Sequence, residues 1–95
     1  MVIGVLRLEV RLHGVHSLKE KRGVVQKLLA RCRNRYPVSC AEVDHQDVWQ
    51  SAAFGFAVVS TAEQVVAPIL ERLEDEIADS GLAELVDSDV EYIHC

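Results

Sequence analysis

From Leu6 to Leu12 the chain alternates without a fault: Leu6, Leu8, Val10 and Leu12 take one side, and Arg7, Glu9 and Arg11 take the other. A period of two marks a β-strand, and one with only a single face withdrawn from water. A sheet built around such a strand needs a second layer on one side and leaves its other side open.

The next segments say what that second layer is. His13-Gly14-Val15-His16 is the turn out of the strand. Ser17 stands three residues before Glu20, a Ser-x-x-Glu capping box, and Leu18, Val25, Leu28, Leu29 and Cys32 continue as a helical stripe to about Arg35. Pro37 stops that helix. Val38 to Asp44 reads as a short second strand, in which Glu42 and Asp44, two apart, share a face. Asp44 to Gln50 is a polar connection holding the single tryptophan, Trp49. Ala52 to Val59 is apolar on both faces, as suits a central strand. Ser60 and Glu63 form a second capping box, and the helix behind it buries Val66, Ile69, Leu70, Leu73 and Ile77. A kink is expected at Pro68 and a stop at Gly81. Val86 to Ile93 alternates again and forms the last strand.

The order βαββαβ fits one ferredoxin-like α+β domain spanning residues 1–95, an antiparallel sheet of order 4-1-3-2 with two helices on one face. That topology brings Ser17–Arg22 close to Asp44–Gln50, and close to Asp75, Glu76 and Asp79. It leaves Arg7, Glu9 and Arg11 on the open face beside Asp89 and Glu91, where charges can pair across strands. With 95 residues, 49% of them hydrophobic, the core is single and thin, and a homodimer is expected.

No stretch approaches the ~20 apolar residues of a membrane span, and Met-Val-Ile-Gly-Val-Leu reaches Arg7 too soon for a signal segment. Cys32, Cys40 and Cys95 are odd in number and lack metal-type spacing, so they read as reduced thiols of a cytoplasmic protein.

Charge divides the chain. Residues 1–36 hold nine Lys/Arg against two acids, +7, and residues 37–95 hold Arg72 against thirteen acids, −12, together the net −5. Such asymmetry suggests a basic face with an anionic partner, or two halves that neutralise each other.

Gly4-Val5-Leu6-Arg7-Leu8, Ser17-Leu18-Lys19-Glu20-Lys21-Arg22, and Ala41-Glu42-Val43-Asp44 followed by Asp47-Val48-Trp49-Gln50 resemble the YlxP-like family over essentially the whole chain. The resemblance implies a ferredoxin-like fold and a cytoplasmic bacterial protein of a family without an established activity. Its members are often encoded among translation and ribosome-maturation genes, which implies a role near RNA or the ribosome.

The first helix carries the best candidate site. Lys19, Lys21 and Arg22 crowd the end where the helix dipole is already positive, which favours a nearby anion. With Lys27 and Arg31 they make the electrostatic footprint of phosphate-backbone binding. Nearby carboxylates (Asp44, Asp47, Asp75, Glu76, Asp79) are the competing anions. Phe54-Gly55-Phe56 evokes the aromatic pair of an RRM strand but lacks its flanking Lys/Arg-Gly, so Phe54 and Phe56 are assigned with Trp49 and Gln50 to a partner or dimer interface. His13, His16 and His45 with Asp44 and Asp47 are a weaker constellation for metal or acid–base chemistry, because their spacing matches no known ligand pattern. No Gly-rich phosphate loop, nucleophile elbow or paired-cysteine motif is present.

The reading is a non-enzymatic, RNA- or ribosome-associated binding module without cofactor or metal. Two alternatives stand beside it. One is a dimeric ligand- or metal-binding domain using the His/Asp cluster. The other is a protein–protein adaptor whose basic and acidic faces meet different subunits.

Overall fold

The computed structural model describes residues 1–95, and its element order is the expected one. Strand β1 (Val2–Leu12) leads to helix α1 (Leu18–Arg35), then β2 (Ser39–Asp44), β3 (Ser51–Ser60), helix α2 (Glu63–Ala78) and β4 (Ala83–His94). The four strands form one antiparallel sheet, β2-β3-β1-β4, which is the 4-1-3-2 order predicted from sequence.

The alternation of β1 decides where the core lies. Its even-numbered side chains, from Val2 to Leu12, are buried with Phe54, Phe56 and Val58 of β3 in one cluster. Val25, Leu28, Leu29 and Cys32 of α1 and Val66, Leu70, Leu73 and Ile77 of α2 close that cluster from above. At Gly4 the α2 helix comes so near that an added Cβ would overlap Val66 Cγ1. The odd-numbered residues of β1 lie on the open face.

Ser17 caps α1, accepting a hydrogen bond from the Glu20 amide at 3.1 Å, while Glu20 Oε2 accepts one from the His16 amide at 2.7 Å. The second capping box does not form. Ser60 is still paired with Val2 inside β3, so the chain enters α2 at Ala62, which offers no side-chain cap. Helix α2 also runs unbroken through Pro68. Gln64 and Pro68 are both exposed, so the carbonyl that loses its donor faces solvent. Gly81 takes φ +76°, a left-handed turn between α2 and β4 that favours glycine.

Two bulges depart from strict alternation. β4 begins at Ala83, three residues before the expected start, because an extra residue between its pairings with Glu9 and Val10 resets its phase. In β2, Glu42 pairs with Phe54 but Asp44 pairs with Ala53, leaving Val43 as the added residue. Glu42 therefore turns under the helices while Asp44 turns to the open face, and the expectation that they share a face is corrected.

Phe54 and Phe56 are also corrected. Both are buried in the core, edge to face with ring centroids 6.4 Å apart, and neither reaches a surface where a partner would sit.

Candidate functional site

The cations of α1 separate into those used within the fold and those left free. Lys21 lies on the apolar stripe of α1, in phase with Val25, Leu28 and Cys32, and is only 1% exposed. Its ammonium lies 2.9 Å from Glu42 Oε2, and it donates to the carbonyls of His45 and, at 3.4 Å, Gln46. The Glu42 contact is ionic at an angle that leaves the buried Oε2 without a hydrogen bond. Lys21 is thus a strut between the first turn of α1 and the β2–β3 connection. It is withdrawn from the phosphate-contacting set, since the core that surrounds it excludes a ligand.

Arg31 is withdrawn too. With Arg35 it meets Glu76 of α2, at 3.9 and 3.2 Å. The expected contact between the end of α2 and Ser17–Arg22 is replaced by this one, because α1 brings its last turns, rather than its first, against α2. The cleft there, about 280 Å3, is walled by Arg31, Arg35, Arg72, Asp75, Glu76 and Asp79, three cations against three acids. Arg33 donates to the Cys40 carbonyl at 2.6 Å.

Lys19, Arg22 and Lys27 remain. All three are exposed, and none lies within 4.0 Å of a carboxylate. At ~1.5 Å rise per residue they extend over about 12 Å of helix. Gly23, Gln26 and Ala30 are exposed on the same side of the helix.

At the same end of the sheet, the open face carries a second polar group. His45 adopts φ +63°, uncommon for a residue with a side chain, and its Nε2 is 3.0 Å from Glu9 Oε1. Asp44 Oδ2 and Glu9 Oε1 flank the Arg7 guanidinium at 3.6 and 3.5 Å. The hydrogen bond from His45, with the charges of His45 and Arg7, holds the Glu9 carboxyl below the usual carboxylate range against the opposing effect of desolvation. Arg7 stands directly opposite Asp89 in register but turns toward Glu9 and Asp44. Arg11 reaches Glu84, opposite it, at 4.0 Å.

The histidine constellation does not assemble. His45 turns to Glu9, His13 and His16 point to solvent, and no three His, Cys, Asp or Glu side chains are placed to hold a metal ion. Trp49 is 49% exposed in the β2–β3 connection, and Gln50 beside it accepts the Leu12 amide at 2.7 Å through its carbonyl. Both therefore stand on the surface at the end of the sheet where α1 begins.

Residues 3–90 match the family described as "Protein of unknown function (DUF503)". The chain belongs to the DUF503 family. Within it, the uncharacterized protein YlxP of Bacillus subtilis is 38% identical over 72 residues, covering 76% of this chain and 78% of that one. Solved structures resemble this DUF503 chain in fold alone. The de novo designed protein Foldit4 aligns with a TM-score of 0.52 at 12% identity, over 99% of this chain and 97% of the other. SnoaB, a cofactor-independent oxygenase from Streptomyces nogalater, gives 0.51 at 10% identity over 99% and 92%. A putative chlorite dismutase gives 0.53 at 15% identity over 97% of this chain and 44% of that one. No helix of this DUF503 chain is long and apolar enough to cross a membrane.

Proposed function

We propose that this DUF503 chain is a non-enzymatic binding module that grips RNA phosphates, on or near the ribosome, with the exposed side of α1. One observation carries the reading. Lys19, Arg22 and Lys27 are left without an intrachain carboxylate, while Glu42 is engaged by Lys21 and Asp44 by Arg7. Unpaired cations near the positive end of a helix are mildly unfavourable in isolation, and a phosphate brought beside them relieves that. Lys19 and Arg22 sit within the first turns, where oriented amides add to the attraction. Glu20 accepts from the amide of His16 and Ser17 accepts from the amide of Glu20, so the contact runs along the side of the helix rather than at its tip. Trp49 and Gln50, exposed in the β2–β3 connection, offer the same partner a stacking ring and a polar neighbour.

Titration with a structured RNA at two salt concentrations tests the reading. The affinity is expected to fall steeply with salt, and the Lys19→Gln/Arg22→Gln/Lys27→Gln variant is expected to bind weakly at both concentrations with a flatter salt slope, reduced by about three phosphate contacts. No binding at low salt, or a triple variant that binds like the parent, would refute it.

A further inference from the structure

The face of the sheet turned away from the helices has its own pattern, independent of α1. Register sets its rows. Ile93, Ile3 and Val59 form one row, and Glu91, Val5 and Ala57 the next. Asp89, Arg7 and Gly55 follow, then Asp87, Glu9 and Ala53. The half of the face around Ile3 and Val5 is thus apolar, with Val59 60% and Ile93 42% exposed. Val43 of β2, 50% exposed, folds over Gly55 and continues the apolar surface. Two shallow hollows meet at Val5. One, about 330 Å3, is lined by Ala41, Val43, Gly55 and Ala57, and the other, about 490 Å3, by Arg7, Asp89 and Glu91.

Along the β4 edge, Asp87, Asp89 and Glu91 repeat every second residue on this side, and none of them forms an ion pair within the chain. At ~3.3 Å per residue their spacing is about 6.6 Å, so the three carboxylates repel one another along the edge. The whole face bears Glu9, Asp44, Glu84, Asp87, Asp89 and Glu91 against Arg7 and Arg11. A second copy of the chain laid face to face would set that acidic excess against itself. The chain's own basic helix side supplies cations but no large apolar side chain, because Gly23 and Ala30 are the apolar residues beside Lys19, Arg22, Gln26 and Lys27.

We propose that the open face docks a cationic amphipathic helix of another protein, with its apolar flank on Ile3, Val5, Ala57 and Val59 and its basic flank along Asp87, Asp89 and Glu91. The widths agree. A helix is about 10 Å across and neighbouring strands are about 4.8 Å apart, so one helix lying along β1 reaches β4 on one side and β3 on the other. Burial of the valines and isoleucines supplies the attraction, and the carboxylate row selects the sign of the partner's charge and fixes its orientation.

The test uses the full chain, labelled with nitrogen-15, and a synthetic amphipathic Leu/Lys peptide of about five helical turns. A scrambled peptide of identical composition is the control. Saturable binding is expected, with perturbed amides confined to β1, β3 and β4, and at least about tenfold weaker binding of the scrambled peptide. The Asp89→Asn/Glu91→Gln variant and the Val59→Ser/Ile93→Ser variant, all at exposed positions, are each expected to bind the peptide about tenfold more weakly while melting like the parent. The Lys19, Arg22 and Lys27 substitutions are expected to leave the peptide affinity unchanged. Equal binding of the scrambled peptide would reduce the effect to polycation attraction and overturn the proposal, as would perturbations centred on the acidic side of α2. Sedimentation equilibrium supplies a further arm: a dimer of the parent chain that Val59→Lys dissociates would make a second copy the occupant and overturn it as well.

Discussion

Lys21 Nζ lies 2.9 Å from Glu42 Oε2, with the lysine side chain 1% exposed and the glutamate side chain 18% exposed. This pair joins α1 to β2 through the core rather than across the surface. Removing one member of a buried pair strands the other's charge, at a cost of about 3–5 kcal/mol. Lys21→Met is expected to destabilise the fold by about that much, and Lys21→Met/Glu42→Leu is expected to recover most of the loss. Urea unfolding of the two single variants and the double variant measures the coupling.

A different kind of fit governs Gly4, which is buried beneath α2. A methyl group there would overlap Val66 Cγ1 and stand 3.2 Å from Leu70 Cδ1. Gly4→Ala is expected to destabilise by about 1–3 kcal/mol through overpacking, although alanine is ordinarily no worse than glycine in a strand. Adding Val66→Ala should return part of that stability, which thermal or chemical melts of the pair will register.

The depressed Glu9 carboxyl sets a pH dependence with a definite sign. Its folded value is lowered from 4.5, chiefly by the His45 hydrogen bond, so its contribution is present above 4.5 and is lost as pH falls through the lower folded value. The melting temperature of the parent should therefore exceed that of Glu9→Gln near neutrality, and the difference should shrink in acid below pH 4.5. Paired melts across an acid pH series check it. A difference that grows on acidification would contradict the geometry.

Thiol reactivity should separate the three cysteines. Cys32 is buried and its thiol is pushed up to about 11, by burial first and then by Cys40 and Glu76. Burial also raises Cys40, whose sulfur lies 3.7 Å from the Leu29 carbonyl, while Cys95 is exposed. Titration of the native protein with a chromogenic disulfide at neutral pH is expected to modify Cys95 quickly, Cys40 slowly, and Cys32 only on unfolding.

The fold was legible because β1 alternates cleanly and two amphipathic helices punctuate four strands in an order that few topologies accept. The departures have local causes. Val43 and the residue added near Glu9 in the β4 pairing are single insertions, and a period-two reading has no means of placing them. Ser60 carries the right side chain for a cap but is retained by the strand through its pairing with Val2. Charge alone places Lys21 with the surface cations. Its spacing from Val25, Leu28 and Cys32 already put it on the buried stripe, so helical phase was the signal that identified its place. The same phase argument separates Lys19, Arg22 and Lys27 from it. Whether Arg31 was free was not legible at all, since that depended on how α1 and α2 cross.

The extra residue at Val43 has a mechanical consequence. Because of it, six residues of β2 carry one acid to each side of the sheet: Glu42 to Lys21 beneath the helices, and Asp44 to Arg7 on the open face. The corner is riveted through the sheet, with one head buried beneath the helices and the other on the open face. Deleting Val43 would make Glu42 and Asp44 neighbours in sequence, which simple alternation already sets on opposite faces, so both acids are expected to keep their sides. A strand of six residues thereby ties α1 on one side of the sheet to β1 on the other.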